Sequence, residues 1–378
     1  METAKRLDVF GETVFATWSR IAIEKNAINL GQGFPDFAAP DFVKEAAVKA
    51  IMDDENQYSR SAGHPLLVSS IAEKTEWEVD PYEEVTVGCG STELISNAIL
   101  GLVNPGDEVI VIEPFYDSYL ACISMAGGVP ILVTLHSPDF TFDEDELRNA
   151  FNDKTKMIIV NSPHNPTGRV FNKKELELIS ELAIAHDVIV LSDEVYDKLI
   201  LTGVHVPIAS LPEMRERTIT LRSLGKVFSV TGWKIGWSIA PKELTQGIRS
   251  AHQFTTFCAA TPLQVAAATA LRVPESYYDE YTKEYRERRD LLVDGLKSVG
   301  FKVNPSQGTY FVLANHSPFG FEDDISFAHH LAETCSVVGI PPSSFYKKSD
   351  EGKAYIRFAF CKGLGTLKTA VERLQALC

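Results

Sequence analysis

Between about residues 82 and 240 the sequence alternates short apolar runs, rich in β-branched residues, with longer amphipathic runs. This alternation is typical of β-strands that are joined by crossover helices. Seven runs are predicted to be strands, and they begin at Val85, Glu108, Pro130, Met157, Val188, Thr218 and Gly236. Several of them are apolar at every position, which predicts cover on both faces. We therefore expect an α/β fold in which a mostly parallel, seven-stranded sheet carries helices on both faces.

The C-terminal part of the chain follows a different pattern. A charged stretch over 276–299 predicts a long helix, and short predicted strands and a closing helix near 366–377 follow it. We interpret residues 281–378 as a small α+β domain and residues 41–280 as a large domain, with the long helix at their boundary. Residues 1–40 are expected to form an N-terminal arm with an irregular loop and to contribute to the small domain.

Charge and cysteine content exclude several kinds of partner. The chain has 36 basic and 51 acidic residues, and its net charge of -15 repels nucleic-acid phosphates and anionic lipid surfaces. Its six cysteines form no C-x-x-C pair, so neither a disulfide framework nor a metal site is predicted. The sequence has neither an apolar leader nor a run that could span a bilayer. We expect a cytoplasmic protein without nucleic-acid or membrane partners, and leave open an organelle-targeting extension outside this numbering.

Open parallel sheets bind ligands beyond the carboxyl ends of their strands, so polar groups are expected to converge in the turns that follow the predicted strands. The turn at 88–92 reads Gly-Cys-Gly-Ser-Thr and enters a helix whose free amides would suit a phosphate. Ser91 or Thr92 would serve equally well as a helix cap. A later turn, at 161–168, contains Asn165-Pro-Thr-Gly, which has the residue preferences of a tight turn.

Two further strand ends carry charged groups among apolar neighbours. Asp193 follows a strand that is predicted to be buried on both faces, where a carboxylate needs a partner. Lys226 lies in a Gly-punctuated loop over 222–237. A partly buried lysine has a lowered pKa and becomes an amine nucleophile that can condense with a carbonyl group. Lys226 is therefore a candidate nucleophile and Asp193 a candidate counter-ion.

Four motifs occur in a fixed order, namely Asn165-Pro-Thr-Gly, Asp193-Glu-Val-Tyr, Ser223-Leu-Gly-Lys and Thr231-Gly-Trp-Lys. Together they resemble the class I and II aminotransferases of the type I pyridoxal-phosphate fold, and the resemblance extends from about Phe15 to Leu377. Within that family, the stretches 29–37, 56–58 and 113–119 are similar to the kynurenine aminotransferase, glutamine transaminase K and methionine aminotransferase group. The resemblance implies an aminotransferase that uses pyridoxal 5′-phosphate.

The resemblance also implies roles for individual residues. Lys226 matches the lysine that attaches to the cofactor aldehyde and then moves the proton at the substrate Cα, and Asp193 matches the carboxylate that pairs with the ring nitrogen. With Tyr196 these are the implied catalytic residues. The implied cofactor contacts are Asn165 and Tyr196 at the 3′ oxygen, Tyr116 on the ring face, and Gly90, Ser91, Thr92, Ser223 and Lys234 around the phosphate.

A third group of positions matches residues that bind the substrate. Arg357 matches the arginine that receives the α-carboxylate, and Asn165 is expected beside it. Phe15 and Gly33 match arm residues that close over the substrate. Tyr58 and Phe257 match positions that reach across a dimer interface, Tyr58 to the cofactor phosphate of the other protomer and Phe257 to its substrate. The resemblance thus implies a homodimer with shared active sites.

Two departures from the family pattern bear on the substrate. The stretch 90–92 has no lysine where aspartate- or prephenate-type enzymes use one to grip a side-chain carboxylate, so neutral donors are expected. Cys258 stands where kynurenine enzymes carry histidine. The expected donors are glutamine, methionine and aromatic amino acids, with kynurenine left open, and a 2-oxo acid accepts the amino group in a ping-pong cycle. The alternative is a cysteine-S-conjugate carbon–sulfur β-lyase on the same cofactor, since a carbanion at Cα can also expel a good leaving group from Cβ.

Overall fold

The computed structural model describes residues 4–8 and 10–378. The strands in this part of the chain are β1 (Ile28–Asn29), β2 (Val85–Gly88), β3 (Glu108–Glu113), β4 (Val129–His136), β5 (Thr141–Phe142), β6 (Thr155–Asn161), β7 (Ile189–Asp193), β8 (Thr218–Ser223), β9 (Gly236–Ile239), β10 (Lys302–Val303), β11 (Phe311–Asn315), β12 (Val337–Val338) and β13 (Tyr355–Ala359).

The α-helices of the same residues are α1 (Val14–Glu24), α2 (Asp41–Met52), α3 (Pro65–Lys74), α4 (Ser91–Leu102), α5 (Ser118–Ala126), α6 (Glu144–Ala150), α7 (Lys173–Ala185), α8 (Leu224–Val227), α9 (Lys242–Thr255), α10 (Thr261–Ala270), α11 (Glu275–Ser298), α12 (Asp324–His330) and α13 (Leu364–Leu374). Within the described residues, none of these helices is both long and apolar enough to cross a membrane.

The large sheet has the strand order β2-β9-β8-β7-β6-β3-β4-β5. The consecutive pairs from β8 to β4 are parallel, whereas β9 is antiparallel to both of its neighbours and β5 is antiparallel to β4. All seven predicted strands are present, and the mostly parallel arrangement is confirmed. The predicted number of strands is wrong by one, because β5 adds an edge strand whose two residues are too few to give a sequence pattern.

Helices cover both faces of this sheet. Val109 and Val111 of β3 pack in one apolar cluster with α4, α5 and α9, whereas Ile110 and Ile112 pack in another with α6 and α7. Alternate residues of a strand point to opposite faces, so these two clusters are the two sides of one sheet. The prediction of an α/β fold with covered faces is confirmed, and it explains why these strands are apolar at every position.

The C-terminal residues form a second, antiparallel sheet with the order β10-β11-β13. Its apolar cluster includes residues of α11, α12 and α13, and Trp18 and Ile21 of α1 belong to it as well. The N-terminal segment is joined to it also by the parallel pair β1 and β12. Helix α11 runs unbroken through position 280, so the domain boundary proposed there falls within a helix and stays a prediction.

One expectation for the N-terminal region is wrong. Residues 14–24, which were expected to be arm or irregular loop, form α1. The Thr13 side chain caps this helix by accepting a hydrogen bond from the Ala16 amide, and Trp18, Ile21 and Ala22 form its buried stripe. A capping threonine and apolar residues three and four positions apart are ordinary helix signals.

Candidate active site

The carboxyl ends of the central strands meet at one edge of the large sheet. Asn161, the last residue of β6, is the register partner of Asp193, the last residue of β7. Ser223, the last residue of β8, is paired with Gly236 of β9, which in turn is paired with Gly88 at the end of β2. The four turns that the sequence marks as polar therefore lie side by side, as expected for an open parallel sheet.

Most of the predicted residues line two adjoining cavities at this edge. The first cavity, of about 210 Å³, is bordered by Phe15, Gly33, Ser91, Thr92, Tyr116, Asn165, Asp193, Tyr196, Lys226 and Arg357. The second, of about 170 Å³, is bordered by Gly90, Ser91, Thr92, Tyr116, Ser223, Lys226 and Lys234. Ser91, Thr92, Tyr116 and Lys226 border both.

The second cavity lies at the N-terminus of α4. Gly90 immediately precedes this helix with a φ of +81°, a conformation that favours glycine. Because glycine has no side chain, it does not cap the first amides of the helix, which are left free to bind a ligand. A methyl group at Gly90 would lie 3.3 Å from Lys234 Nζ, so the ammonium group is directly beside the turn. Free amides, a helix dipole and a lysine together favour an anion such as a phosphate.

Asp193 is a buried carboxylate, 5% exposed, without a cationic partner among the ion pairs of the described residues. Its Oδ2 accepts a hydrogen bond of 2.6 Å from the Tyr119 hydroxyl, and the Val195 amide lies 3.4 Å from its Oδ1. Burial raises the pKa of Asp193 above its ordinary value, and the hydrogen bond from Tyr119 opposes that rise. A cation in the cavity would therefore be strongly favoured beside this carboxylate.

Lys226 extends from the short helix α8 directly after β8. Its Nζ lies 5.6 Å from the centroid of the Tyr196 ring, and its carbonyl oxygen accepts a hydrogen bond of 2.9 Å from the Tyr281 hydroxyl. Burial lowers the pKa of Lys226, and the positive charges of Lys234 and Arg357 lower it further, while Asp193 acts in the opposite direction. A lowered pKa increases the fraction of free amine, which is the nucleophilic form.

Arg357 lies on β13 of the small sheet and is 1% exposed. Its Nη1 donates to Asn165 Oδ1 at 3.0 Å and its Nη2 to the Gly31 carbonyl at 2.8 Å, but its Nε has no hydrogen-bond partner among the described residues. The guanidinium lies 4.0 Å from the centroid of the Phe311 ring, and burial lowers its pKa to about 10. The hydrogen-bond partners of this buried arginine are neutral, and the nearby charge of Asp117 forms no ion pair with it, so the guanidinium is suited to bind a carboxylate.

The N-terminal segment closes one side of the first cavity. A methyl group at Gly33 would lie 2.6 Å from Cζ of Phe311, so only glycine permits this close approach. The Tyr310 hydroxyl donates to the Gly33 carbonyl at 2.7 Å, and the Phe15 ring lies 5.9 Å from that of Phe345. These contacts fix the segment against the strand and turn that flank Arg357.

Tyr58 and Phe257 are the two predicted site residues that do not border either cavity. They lie together on the surface, where their rings are 5.2 Å apart and nearly perpendicular. Tyr58 is 83% exposed and Phe257 is 41% exposed. Within this protomer neither residue contributes to the site.

Several residues that border the first cavity escaped the sequence analysis. Tyr119 holds Asp193, and Asn161 donates from Nδ2 to the Asp193 carbonyl at 2.8 Å while its Oδ1 accepts from the Asn165 amide at 2.8 Å. Gln32, Ile95, Val195 and Phe311 complete this group. Asn161 had a detectable signal, since it opens the motif at the end of its strand, whereas Tyr119 and Ile95 resemble ordinary core residues of a helix.

The two cavities suit pyridoxal phosphate. Asp193 forms no ion pair with a described residue, so a protonated pyridine nitrogen would give it a direct cationic partner, and the second cavity has the amides and the lysine that suit a phosphate. Tyr116 and Lys226 each border both cavities. An aldehyde that condenses with Lys226, an aromatic ring with a basic nitrogen and a phosphate tail therefore match the groups present.

Comparisons with a family model, with related sequences and with solved structures all point to aminotransferases. A family model described as aminotransferase class I and II matches residues 25–374. The mouse protein named kynurenine–oxoglutarate transaminase 3 is 40% identical, and the alignment covers 99% of this chain and 90% of the mouse protein. The solved structure of N-succinyldiaminopimelate aminotransferase from Mycobacterium tuberculosis is 42% identical over 100% of both chains, with a TM-score of 0.96. The structure of YbdL from Escherichia coli, whose title reports a methionine aminotransferase function, is 35% identical over 99% of both chains, also with a TM-score of 0.96.

Proposed function

This chain belongs to the class I and II aminotransferases, which are pyridoxal-phosphate-dependent transaminases. On that premise we propose that its amino donor is a neutral amino acid and that its amino acceptor is a 2-oxo acid. The observation that carries the proposal is the charge of the first cavity. Its described lining includes two cations, Lys226 and Arg357. With Lys226 assigned to the cofactor and Arg357 to the α-carboxylate, that lining offers no third cation for a carboxylate on the side chain.

The rest of the lining supports an uncharged side chain. Phe15, Ile95 and Phe311 present apolar surface, and Gln32 is neutral. Apolar walls with few polar groups are typical of pockets for uncharged ligands. The names of the E. coli and mouse relatives refer to methionine and kynurenine, whereas the M. tuberculosis name refers to an amino acid with further carboxylates. We rank methionine, glutamine and aromatic amino acids first, and kynurenine after them.

A half-reaction screen tests this substrate class. The holoenzyme is mixed with one amino acid at a time, without acceptor, and conversion of the cofactor from its aldehyde to its amine form is followed by absorbance. We expect kcat/KM for methionine, glutamine or phenylalanine to exceed that for aspartate and for N-succinyldiaminopimelate by about tenfold or more, the difference that about 1.4 kcal/mol produces. Faster conversion by the dicarboxylic donors would contradict the proposal. Release of ammonia and pyruvate from a cysteine S-conjugate without any acceptor would favour the lyase.

Within this proposal the residues of the chain divide the work. When it is bound, pyridoxal phosphate supplies an aldehyde for the amino group and a ring that stabilises negative charge at the substrate Cα. Asp193 would hold the ring nitrogen protonated, and Lys226 Nζ would take the proton from the substrate Cα and deliver it to the former aldehyde carbon of the cofactor. Arg357 would orient the α-carboxylate, and the segment of Phe15 and Gly33 would exclude water.

Arg357 supplies a prediction that separates carboxylate binding from side-chain recognition. Arg357→Ala is expected to raise KM about 100-fold for every amino acid, because it removes a charge-assisted contact to a group that all donors share. Arg357→Lys should give an intermediate rise, since lysine keeps the charge but loses the two-pronged geometry. Steady-state kinetics with methionine, glutamine and phenylalanine measure this. A loss confined to one class of side chain would contradict the role.

We further propose a homodimer in which each site borrows residues from the other protomer. The support is the exposed ring contact between Tyr58 and Phe257, with Phe254, which is 86% exposed, three positions earlier in the chain. Clustered exposed aromatic rings are typical of surfaces that a protein partner covers. Tyr58 and Phe257, which border no cavity of their own protomer, would then border that of the partner.

Mixed dimers test whether sites are shared. Co-expression of Lys226→Ala with Tyr58→Ala, each carrying a different tag, produces a mixed dimer in which one site contains both native residues. We expect this dimer to be more active than either parent, because a single intact site forms only when Tyr58 comes from the opposite chain. The matched control combines Lys226→Ala with Ser223→Ala, two residues of one site, and should restore nothing. Equal results for both pairs, or a monomer by sedimentation, would overturn the proposal.

A further inference from the structure

A partly buried acid–base pair, Glu93 and His252, lies next to the turn that borders the second cavity. Glu93 is in the first turn of α4, and His252 is on the buried face of α9 with 0% exposure. The distance between Glu93 Oε1 and His252 Nδ1 is 2.7 Å. Neither residue borders the cavities, so the pair is outside the site described above.

The hydrogen-bond partners of this pair determine its protonation. His252 Nδ1 faces the Glu93 carboxylate, and His252 Nε2 faces the Ser61 carbonyl oxygen at 2.9 Å. Both partners are acceptors, and a neutral imidazole can donate from one nitrogen only, so His252 satisfies both contacts only as the doubly protonated imidazolium. Glu93 in turn accepts from the Cys89 amide at 2.5 Å and from the Asn97 side-chain amide, and these hydrogen bonds favour its carboxylate form.

The charged groups around His252 agree with this assignment. Burial lowers the pKa of His252, but the hydrogen bond and charge of Glu93, together with the hydrogen bond to the Ser61 carbonyl, raise it overall. The other charge that faces it is Arg249, one turn earlier on α9, and it opposes the rise. Arg249 directs its own donors to Thr86 Oγ1 and to the Val85 and Tyr82 carbonyls instead.

His252 connects three segments that the proposed function uses. Through Glu93 it holds the Cys89 amide, next to Gly90 and Ser91 of the second cavity. Through Nε2 it holds the Ser61 carbonyl, three residues after Tyr58. Its own carbonyl accepts a hydrogen bond of 2.9 Å from the Phe257 amide, at a residue whose φ is +74°.

We propose that His252 is a positioning residue, and that its imidazolium, paired with Glu93, fixes the phosphate-binding turn of its own protomer together with the segment that carries Tyr58. This inference rests on the proposed phosphate role of Gly90, Ser91 and Lys234. Buried charge pairs hold geometry because either partner alone would be left uncompensated. Loss of the pair should therefore weaken the binding of the cofactor phosphate more than the binding of the pyridine ring.

The first test measures protonation in the wild-type holoenzyme. With ¹⁵N-labelled histidine at pH 8, we expect His252 to give two protonated ring nitrogens, assigned by their loss in His252→Gln or their shift in Glu93→Gln. His316 is an internal control, because its Nε2 lies 2.9 Å from the Lys353 carbonyl while its Nδ1 has no partner, and burial lowers its pKa. His316 should carry one ring proton. A single ring proton on His252 would overturn the proposal.

The second test measures cofactor binding instead of activity. In His252→Gln the dissociation constant of pyridoxal phosphate should rise about tenfold, equivalent to about 1.4 kcal/mol, while that of pyridoxal, which lacks the phosphate, should stay the same. His316→Gln, at a buried histidine of the small domain, should change neither value. Equal changes in the two dissociation constants would show that His252 only stabilises the fold, and would overturn the proposal. If His252→Gln does not fold, the same two dissociation constants are measured in Glu93→Gln. The ¹⁵N spectrum of the wild-type enzyme tests the protonation of His252 without any variant that must fold.

The outcomes of these tests can be distinguished from a failure of the proposed function. A dicarboxylic donor in the half-reaction screen would overturn the substrate class and leave the ring protons of His252 unaffected. A neutral His252 would overturn the positioning role and leave the substrate class intact.

Discussion

Lys226→Ala is expected to abolish nearly all turnover, with a fall in kcat of about 10⁴-fold or more. The variant loses the amine that condenses with the cofactor aldehyde and the base that moves the Cα proton, and both functions depend on Nζ. Visible absorbance from the covalently bound cofactor should disappear as well. Borohydride treatment followed by peptide mapping should modify the peptide that contains position 226 in the wild type and no peptide in the variant.

Lys234→Ala is the matched control, because this lysine is eight residues away and borders the second cavity. It should weaken cofactor binding and yet keep the covalent link to Lys226. A small primary amine added to Lys226→Ala should restore part of the proton transfer, since the space of the missing side chain opens into the cavity. Normal turnover in Lys226→Ala, or a reduced adduct at another lysine, would refute the assignment.

Asp193→Ala should bind the cofactor and still lose about 10³-fold in kcat, because the buried charge that would keep the ring nitrogen protonated is gone. Asp193→Asn should lose nearly as much, since the amide keeps an acceptor for the Tyr119 hydroxyl but carries no charge. Single-turnover kinetics with saturating cofactor measure both variants. Unchanged turnover in either would refute the pairing.

Tyr119→Phe is the companion variant, and it changes the pKa of Asp193 without removing the carboxylate. Burial raises the pKa of Asp193 and the hydrogen bond from Tyr119 lowers it, so loss of the hydroxyl should raise it further. The carboxylate is the active form and is lost as the pH falls through its pKa. The acid limb of the pH–rate profile should therefore move to higher pH in Tyr119→Phe. A shift to lower pH would contradict the assignment.

The sequence alone predicted the large sheet well because its strands are buried on both faces. That environment forces apolar, β-branched runs, such as those of β3 and β6, which stand out from the amphipathic helices between them. The same reasoning directed attention to strand ends, where Asp193 and Ser223 lie. The roles of Lys226, Arg357 and their companions came from family resemblance, and they stay predictions until the variants are measured.

Other parts of the site could not be read from the sequence because they depend on contacts between distant positions. Tyr119 and Asp193 are 74 positions apart, and nothing in the local pattern of α5 distinguishes a tyrosine that holds a carboxylate from one that fills a core. His252 and Glu93 are 159 positions apart, and the pair becomes visible only once α4 and α9 pack together. Helix α1 differs from these cases, because its cap at Thr13 and its apolar stripe are local signals that the sequence itself contains.

The placement of β9 has a consequence for synthesis on the ribosome. Strand β2 borders the sheet only through β9, which is made about 150 positions later, and Gly88 is aligned with Gly236. A nascent chain that has not yet emerged beyond residue 239 leaves β2 without its neighbour, although β3, β4 and β6 can already associate. The anion-binding turn is thus among the last parts of the large sheet to take shape, and a gene truncated between β8 and β9 should yield a fragment without affinity for pyridoxal phosphate.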